Sequence, residues 1–251
     1  MDIATFFGVL AGFVVALGAV LLGPAPETFA HVPSLICVLG GTGAALLLTC
    51  PADEVWRAVR TGIQAFSAKN IPAKDAVTAM VHLAEASYKE GIGALENVQT
   101  TNPVLKKTAQ LIAANADPAL IRDTGTIEIL ALRRRHATGS SVFVRLAMYA
   151  PAIGMLGTFA WLVQMPAALK NPDALGQGML AALVTTLYGC FLSLLVFLPV
   201  AGRITACGME GEYRLNILFE GACRILENNN PTQVYERLSS FLTPEERAGA
   251  R

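Results

Sequence analysis

The chain has 251 residues, 53% of them apolar and 15% charged, with 19 basic and 19 acidic side chains and a mean hydropathy of +0.49. Soluble domains hold about 45–50% apolar and about 25% charged residues. The balance excludes a globally basic nucleic-acid binder and an acidic disordered chain, and it points to a protein that meets lipid.

Four stretches lack Asp, Glu, Lys and Arg: Ile3 to Pro26, Val32 to Ala52, Leu146 to Leu169, and Ala174 to Gly202. About 20 apolar residues cross about 30 Å of hydrocarbon, so each stretch predicts a transmembrane helix. The expected fold is all-α and polytopic. The first stretch reads as a span and not as a cleavable signal, because Met1-Asp2 supplies no basic lead. Gly8 and Gly12, and Gly40, Gly41 and Gly43, would let spans approach closely. The connector Gly23–His31 has no Lys or Arg, the segment Asp53–Ser141 has eleven, the third connector has Lys170, and the tail after Gly202 has six. Cytoplasmic loops collect such residues, so both termini and the middle segment are expected inside. The organisation is then 1–52 for two spans, 53–141 for a cytoplasmic helical domain, 142–202 for two further spans, and 203–251 for a cytoplasmic tail.

Within the middle segment, Val55, Val59, Ile63 and Phe66 recur at helical spacing with Arg57 and Arg60 opposite. Asn70-Ile71-Pro72 breaks that helix. A second is predicted from Ala73 to Glu90 with Val77, Met80, Val81, Ala84 and Tyr88 on its apolar stripe, and Gly91 and Gly93 bracket a turn. A third spans Pro103 to Ala114. Asp117-Pro118 opens a fourth that continues through Arg135 toward the third span. After the fourth span, Ile204, Cys207, Gly211, Leu218, Ala222 and Ile225 extend a helical stripe to Asn228-Asn229-Asn230-Pro231, and a last helix carries Val234, Leu238 and Phe241. Cys37, Cys50, Cys190, Cys207 and Cys223 form no CxxC pair and read as small buried apolar residues. His31, His82 and His136 are scattered. No nucleophile–base grouping, resident metal site or cofactor motif is visible, so no enzymatic activity is expected.

Ion-translocating membrane proteins usually keep an ionisable group inside the bilayer. No span interior here holds one, so a translocated ion would need a carboxylate from another chain. The third and fourth spans carry small polar stripes instead. Pro151, Gly154 and Thr158 share one face; Ala182, Thr186, Gly189 and Ser193 share another, with Thr185 and Tyr188 alongside. Pro151 also frees a backbone carbonyl, since it has no N–H. The stripes fit either a wall for a partner helix and an ion, or ordinary small-residue packing; periodicity does not distinguish the two.

Several motifs carry a resemblance. Met1-Asp2-Ile3-Ala4-Thr5, Tyr88 to Glu96, Ala150-Pro151-Ala152-Ile153-Gly154-Met155-Leu156-Gly157-Thr158, Leu183-Val184-Thr185-Thr186-Leu187-Tyr188-Gly189, Phe197-Leu198-Pro199 and Asn230-Pro231 resemble the flagellar motor stator A subunits, the MotA/PomA family, over nearly the whole chain. That resemblance implies a homopentamer around a dimer of B subunits, each B subunit supplying an essential Asp, embedded in the lipids of the bacterial inner membrane. Inward flow of Na+ or H+ would turn the ring and work on the rotor protein FliG in motility and chemotaxis. Pro151, Gly154, Thr158, Thr185 and Thr186 would line the ion path, Pro199 would couple it to rotation, and Lys89, Glu90 and Glu96 would face the rotor. Tyr88 stands where the family usually has Arg. Its place on the apolar stripe predicts inward packing, which would shift rotor contact toward Lys89, Glu90, Arg57 or Arg60. The hydroxyls of Thr158 and Thr186 favour sodium over a proton, with a transient Na+ beside them. The alternative is a proton-driven energiser of the ExbB/TolQ kind; that group typically has three spans, and the extra pair from Ile3 to Ala52 argues against it.

Overall fold

Three of the helices start in the same way. Asn102, Asp117 and Asn230 each precede a proline, and each side-chain oxygen accepts the backbone N–H two residues on at 3.0 Å. The proline fixes φ at the first helical position, where its missing N–H costs nothing. The computed structural model describes residues 8, 11, 12, 14, 18, 22, 26–67, 72–97, 100, 102–168, 172–227 and 230–248. The elements are a 3-10 turn (Pro26–Phe29), α1 (Val32–Thr49), α2 (Ala52–Ser67), α3 (Ala73–Glu90), a 3-10 turn (Ile92–Asn97), α4 (Pro103–Ala113), α5 (Pro118–Gln164), a 3-10 turn (Met165–Ala168), α6 (Pro172–Phe191), a π segment (Leu192–Phe197), α7 (Leu198–Glu227), α8 (Pro231–Ser239) and α9 (Pro244–Ala248). Among the described residues there is no strand.

Three described stretches are long and apolar enough to cross a membrane: Glu27–Thr49, Pro118–Gln164 and Leu175–Glu227. The expected first span, Ile3 to Pro26, lies mostly outside the described residues, and Lys170, Asn70-Ile71 and Asn228-Asn229 lie wholly outside them. The third and fourth expected spans are parts of longer helices, so the chain continues helical through α5 and, past the π segment, through α7.

The contacts divide the chain into two units, Met1–Lys69 with His136–Thr205, and Asn70–Arg135 with Ala206–Arg251. The boundaries fall inside α5 and α7. In the first unit Leu46, Cys50, Ala58 and Val142 pack together with Val55, Phe143 and Leu146. Its outer faces are also apolar: Leu48 is 87% exposed, Val163 78% and Leu183 68%. Water-facing surfaces rarely carry so much uncovered hydrocarbon, whereas lipid or a packed neighbour accommodates it. The side chain of α2 that turns inward is not the one its large apolar residues suggest. Val59 and Ile63 are exposed with Trp56, and Ala58, Gly62 and Ala65 face the core. The approach is tight, since a Cβ on Gly62 would stand 3.2 Å from the Phe143 ring.

The second unit has its own core. Val77, Met80, Leu83 and Ala84 of α3 meet Ala109 and Ile112 of α4, Ile217, Leu218, Ala222 and Ile225 of α7, and Val234 and Leu238 of α8. The α3 boundaries agree with expectation; Gly91, at φ 87°, ends the helix in a conformation that side chains resist. Tyr88 does not pack inward. It is 67% exposed, and Ser87 takes the buried place beside it. Phe241 follows α8 in a turn, and α9 is an additional short helix. Only Cys50 and Cys223 are buried among the cysteines; Cys37 and Cys190 are exposed and Cys207 is half-buried.

Met80 is completely buried where α3 meets Gly221 of α7. Met80→Ala is expected to destabilise this unit by about 2–5 kcal/mol through lost packing and a residual cavity, read as a lower midpoint in thermal unfolding of the purified protein.

Candidate ion-path wall

The two small polar stripes meet. Gly154 of α5 and Gly189 of α6 bring the helices together at the backbone: a Cβ on Gly154 would lie 3.1 Å from the Thr185 carbonyl oxygen, and one on Gly189 only 2.5 Å from the Ala150 carbonyl oxygen. Glycine is required here because a second backbone occupies the space of a side chain.

That approach groups four oxygens. The Thr158 hydroxyl lies 3.0 Å from the carbonyl oxygen of Gly154 and 3.0 Å from that of Ala182, and it contacts the Thr186 hydroxyl. Two hydroxyls hold two protons in total, and each can be donated to one acceptor at a time. Oxygen lone pairs therefore outnumber the hydrogens among them. Both threonines are half-buried. Such a group suits a cation in need of oxygen ligands.

Thr185 does not join this group. It is completely buried, donates to the Ala181 carbonyl at 2.5 Å, and lies 2.8 Å from the Ser34 hydroxyl of α1. A Cβ on Gly157 would come within 2.4 Å of its methyl carbon. Consecutive helical residues point about 100° apart, so Thr185 and Thr186 serve different neighbours. Ser34 lies outside the stripes that periodicity selects in the third and fourth spans. Its signal is the spacing Ser34, Val38, Thr42, Leu46, the buried face of α1. Beyond Ser34, His31 caps α1 through Nδ1, 2.7 Å from the Ser34 hydroxyl, with its ring edge-on to Trp161. These two line a cavity of about 290 Å³ with Gln164, Met165, Gln177 and Ala181.

The carbonyl freed by Pro151 is that of Ala147, four residues back. It is not open to an ion: the Ser193 hydroxyl donates to it at 2.6 Å in a buried position. Pro199 is half-buried at the start of α7, directly after the π segment. At the other end of the polar face, Arg145 donates to the Thr49 carbonyl at 3.1 Å and lies 3.3 Å from Cys50 Sγ, a cation placed on the carboxyl end of α1. In the second unit Lys89, Glu90 and Glu96 are exposed with Tyr88, at the end of α3 and in the turn that follows. Among the described residues, no three His, Cys, Asp or Glu side chains gather as metal ligands would.

A helical membrane protein with this wall has known counterparts. Residues 96–213 match the MotA/TolQ/ExbB proton channel family. The chain is 31% identical over 248 residues to "Chemotaxis protein PomA" of Vibrio alginolyticus, covering 99% of this chain and 98% of that one. Its fold matches a solved chain of C. jejuni MotAB with a TM-score of 0.88 at 22% identity, covering 98% and 97%. A flagellar MotAB stator complex from Bacillus subtilis matches with a TM-score of 0.86 at 25% identity, covering 97% of each chain. The chain belongs to the MotA/PomA family of flagellar stator subunits.

Gly189→Ala is expected to destabilise the wall by about 1–3 kcal/mol, because the obstructing atoms are backbone and have no rotamer to escape to. Thermal unfolding of the detergent-solubilised complex measures this.

Proposed function

We propose that the chain is the A subunit of a stator that lets ions flow inward and converts the flow into torque on the rotor, with sodium favoured over the proton. One observation carries the ion choice: Thr158, Thr186 and the carbonyls of Gly154 and Ala182 cluster four oxygens around two exchangeable protons. A proton needs one base. A sodium ion needs several oxygens to replace its lost water.

The described spans offer these oxygens but no carboxylate in their apolar interiors. The compensating negative charge comes from a B subunit helix bearing an Asp, and the relatives solved as MotAB support such a partner. Five A subunits surround two B helices in the proposed assembly, so each discharge favours a small rotation of the ring. The chain lies in the inner membrane with both termini and the second unit in the cytoplasm, as the eleven basic residues of the middle segment suggest. There Lys89, Glu90 and Glu96, joined by the outward-facing Tyr88, present charge to FliG. The full-length match to a stator relative favours this reading over an ExbB/TolQ-like energiser.

Thr158→Ala removes one oxygen and frees a second from its hydrogen bond. The external sodium concentration for half-maximal swimming speed is expected to rise about tenfold or more, the equivalent of one lost interaction with a charge, while the complex still assembles. An unchanged sodium response would take Thr158 out of the path. Glu96→Lys is expected to reduce torque on tethered cells with membrane insertion unaffected; full rotation in that variant would remove Glu96 from the rotor contact.

A further inference from the structure

Thr205 bonds back to Ala201 of its own helix, and Thr158 bonds both to Gly154 of its own helix and across to Ala182. The Ser193 hydroxyl reaches across. It is only 5% exposed, and its proton goes to the Ala147 carbonyl of α5 at 2.6 Å. That carbonyl needs an outside donor, because Pro151 cannot supply the helical N–H. Left alone in a buried site it would be an unpaired acceptor, which is costly.

Ser193 also belongs to the π segment Leu192–Phe197, and its own carbonyl accepts the N–H of Leu198, five residues on. Pro199 comes next. One residue therefore joins the irregularity that Pro151 creates in α5 to the irregularity that precedes Pro199. π segments concentrate at functional positions in helices.

The bond closes a seam that starts at the oxygen group. Thr158 meets Thr186, Gly154 meets Thr186 and Gly189, Gly189 meets Ala150, and Ser193 meets Ala147. Glycine-to-backbone contacts leave little room for one helix to shift without the other. The last rung is a directed hydrogen bond and not a packing contact.

We propose that Ser193 is a positioning residue for torque generation. Its hydroxyl ties the carbonyl left open by Pro151 to the π segment, so that a shift at Thr158 and Thr186 on ion loading passes down the seam to Pro199 at the start of α7. This rests on the stator reading above.

The test uses the chain with its B subunit in a motile host stripped of its own stators. A bead on the flagellum reports torque as stators join one at a time. Ser193→Ala is expected to shrink the torque added by each stator by about two-fold or more, with the half-saturating external ion concentration unchanged. Ser193→Thr, which keeps the donor, is expected to restore the increment. A purely structural serine would reduce how many stators join and leave the size of each increment alone. Increments of full size in Ser193→Ala, a shifted half-saturating concentration, or a threonine variant as weak as the alanine one would each overturn the proposal. If Ser193→Ala fails to accumulate in the membrane, Ser193→Cys, a weaker donor of similar size, is read by the same two measures. Failure of the unmodified chain to turn the bead would count against the stator reading instead.

Discussion

Two helices can touch at their backbones only where neither has a side chain in the way. Gly154 and Gly189 meet that condition on α5 and α6, and the rest of the wall follows from it. Because the helices are so close, the Thr158 hydroxyl reaches a carbonyl on its own helix and one on its neighbour. Because they stay close for another turn, Ser193 reaches Ala147. Ordinary apolar packing, at about 8–10 Å between axes, would separate these oxygens and leave the Ala147 carbonyl without its donor.

The two units solve different solvent problems. The first carries apolar residues on its outside, and its buried positions include the polar residues Ser34, Thr42, Thr185 and Ser193. The second has an apolar core of its own and charged pairs at its surface. Arg122, Glu227, Arg224, Glu220 and Arg237 form a chain of ion pairs across α5, α7 and α8, and Arg133 pairs with Glu212 at 2.7 Å. Exposed pairs of this kind contribute about 0–1 kcal/mol each. The stability of the second unit comes from buried residues such as Met80, Ile112 and Ile217.

Much of this architecture is legible in the sequence, for identifiable reasons. Asn-Pro and Asp-Pro steps announce helix starts with a cap and a fixed φ, which is why α4 and α5 begin where expected, and the Asn230-Pro231 step that reads as the end of one helix also opens α8. The polar stripes are legible because four-residue spacing puts Gly154 with Thr158, and seven-residue spacing Thr186 with Ser193, on common faces. Other features turn on distance, which spacing does not carry. Thr185 and Thr186 look equivalent in the sequence, yet one is locked to Ser34 and the other meets Thr158. In α2, hydrophobicity favours Val59 and Ile63 as the inward face, but the buried positions are the small residues Ala58, Gly62 and Ala65, with Phe143 close against Gly62. Tyr88 reads as apolar by its stripe, and its neighbour Ser87 is the residue small enough for the core. The freed Ala147 carbonyl was foreseeable from Pro151, but its donor is a residue 46 positions away.

The π segment has a geometric effect on everything after it. In a regular helix each residue turns the chain by about 100°, and a wider turn takes up an additional residue. A helical wheel drawn unbroken from Thr186 through Leu192–Phe197 into α7 therefore assigns later residues to the wrong side. Pro199, Arg203 and Ile204 face directions offset from those that the α6 stripe would extrapolate. A single inserted or deleted residue between positions 192 and 197 would alter that offset, turning Pro199, Arg203 and Ile204 to other neighbours within the first unit while leaving the helix itself intact.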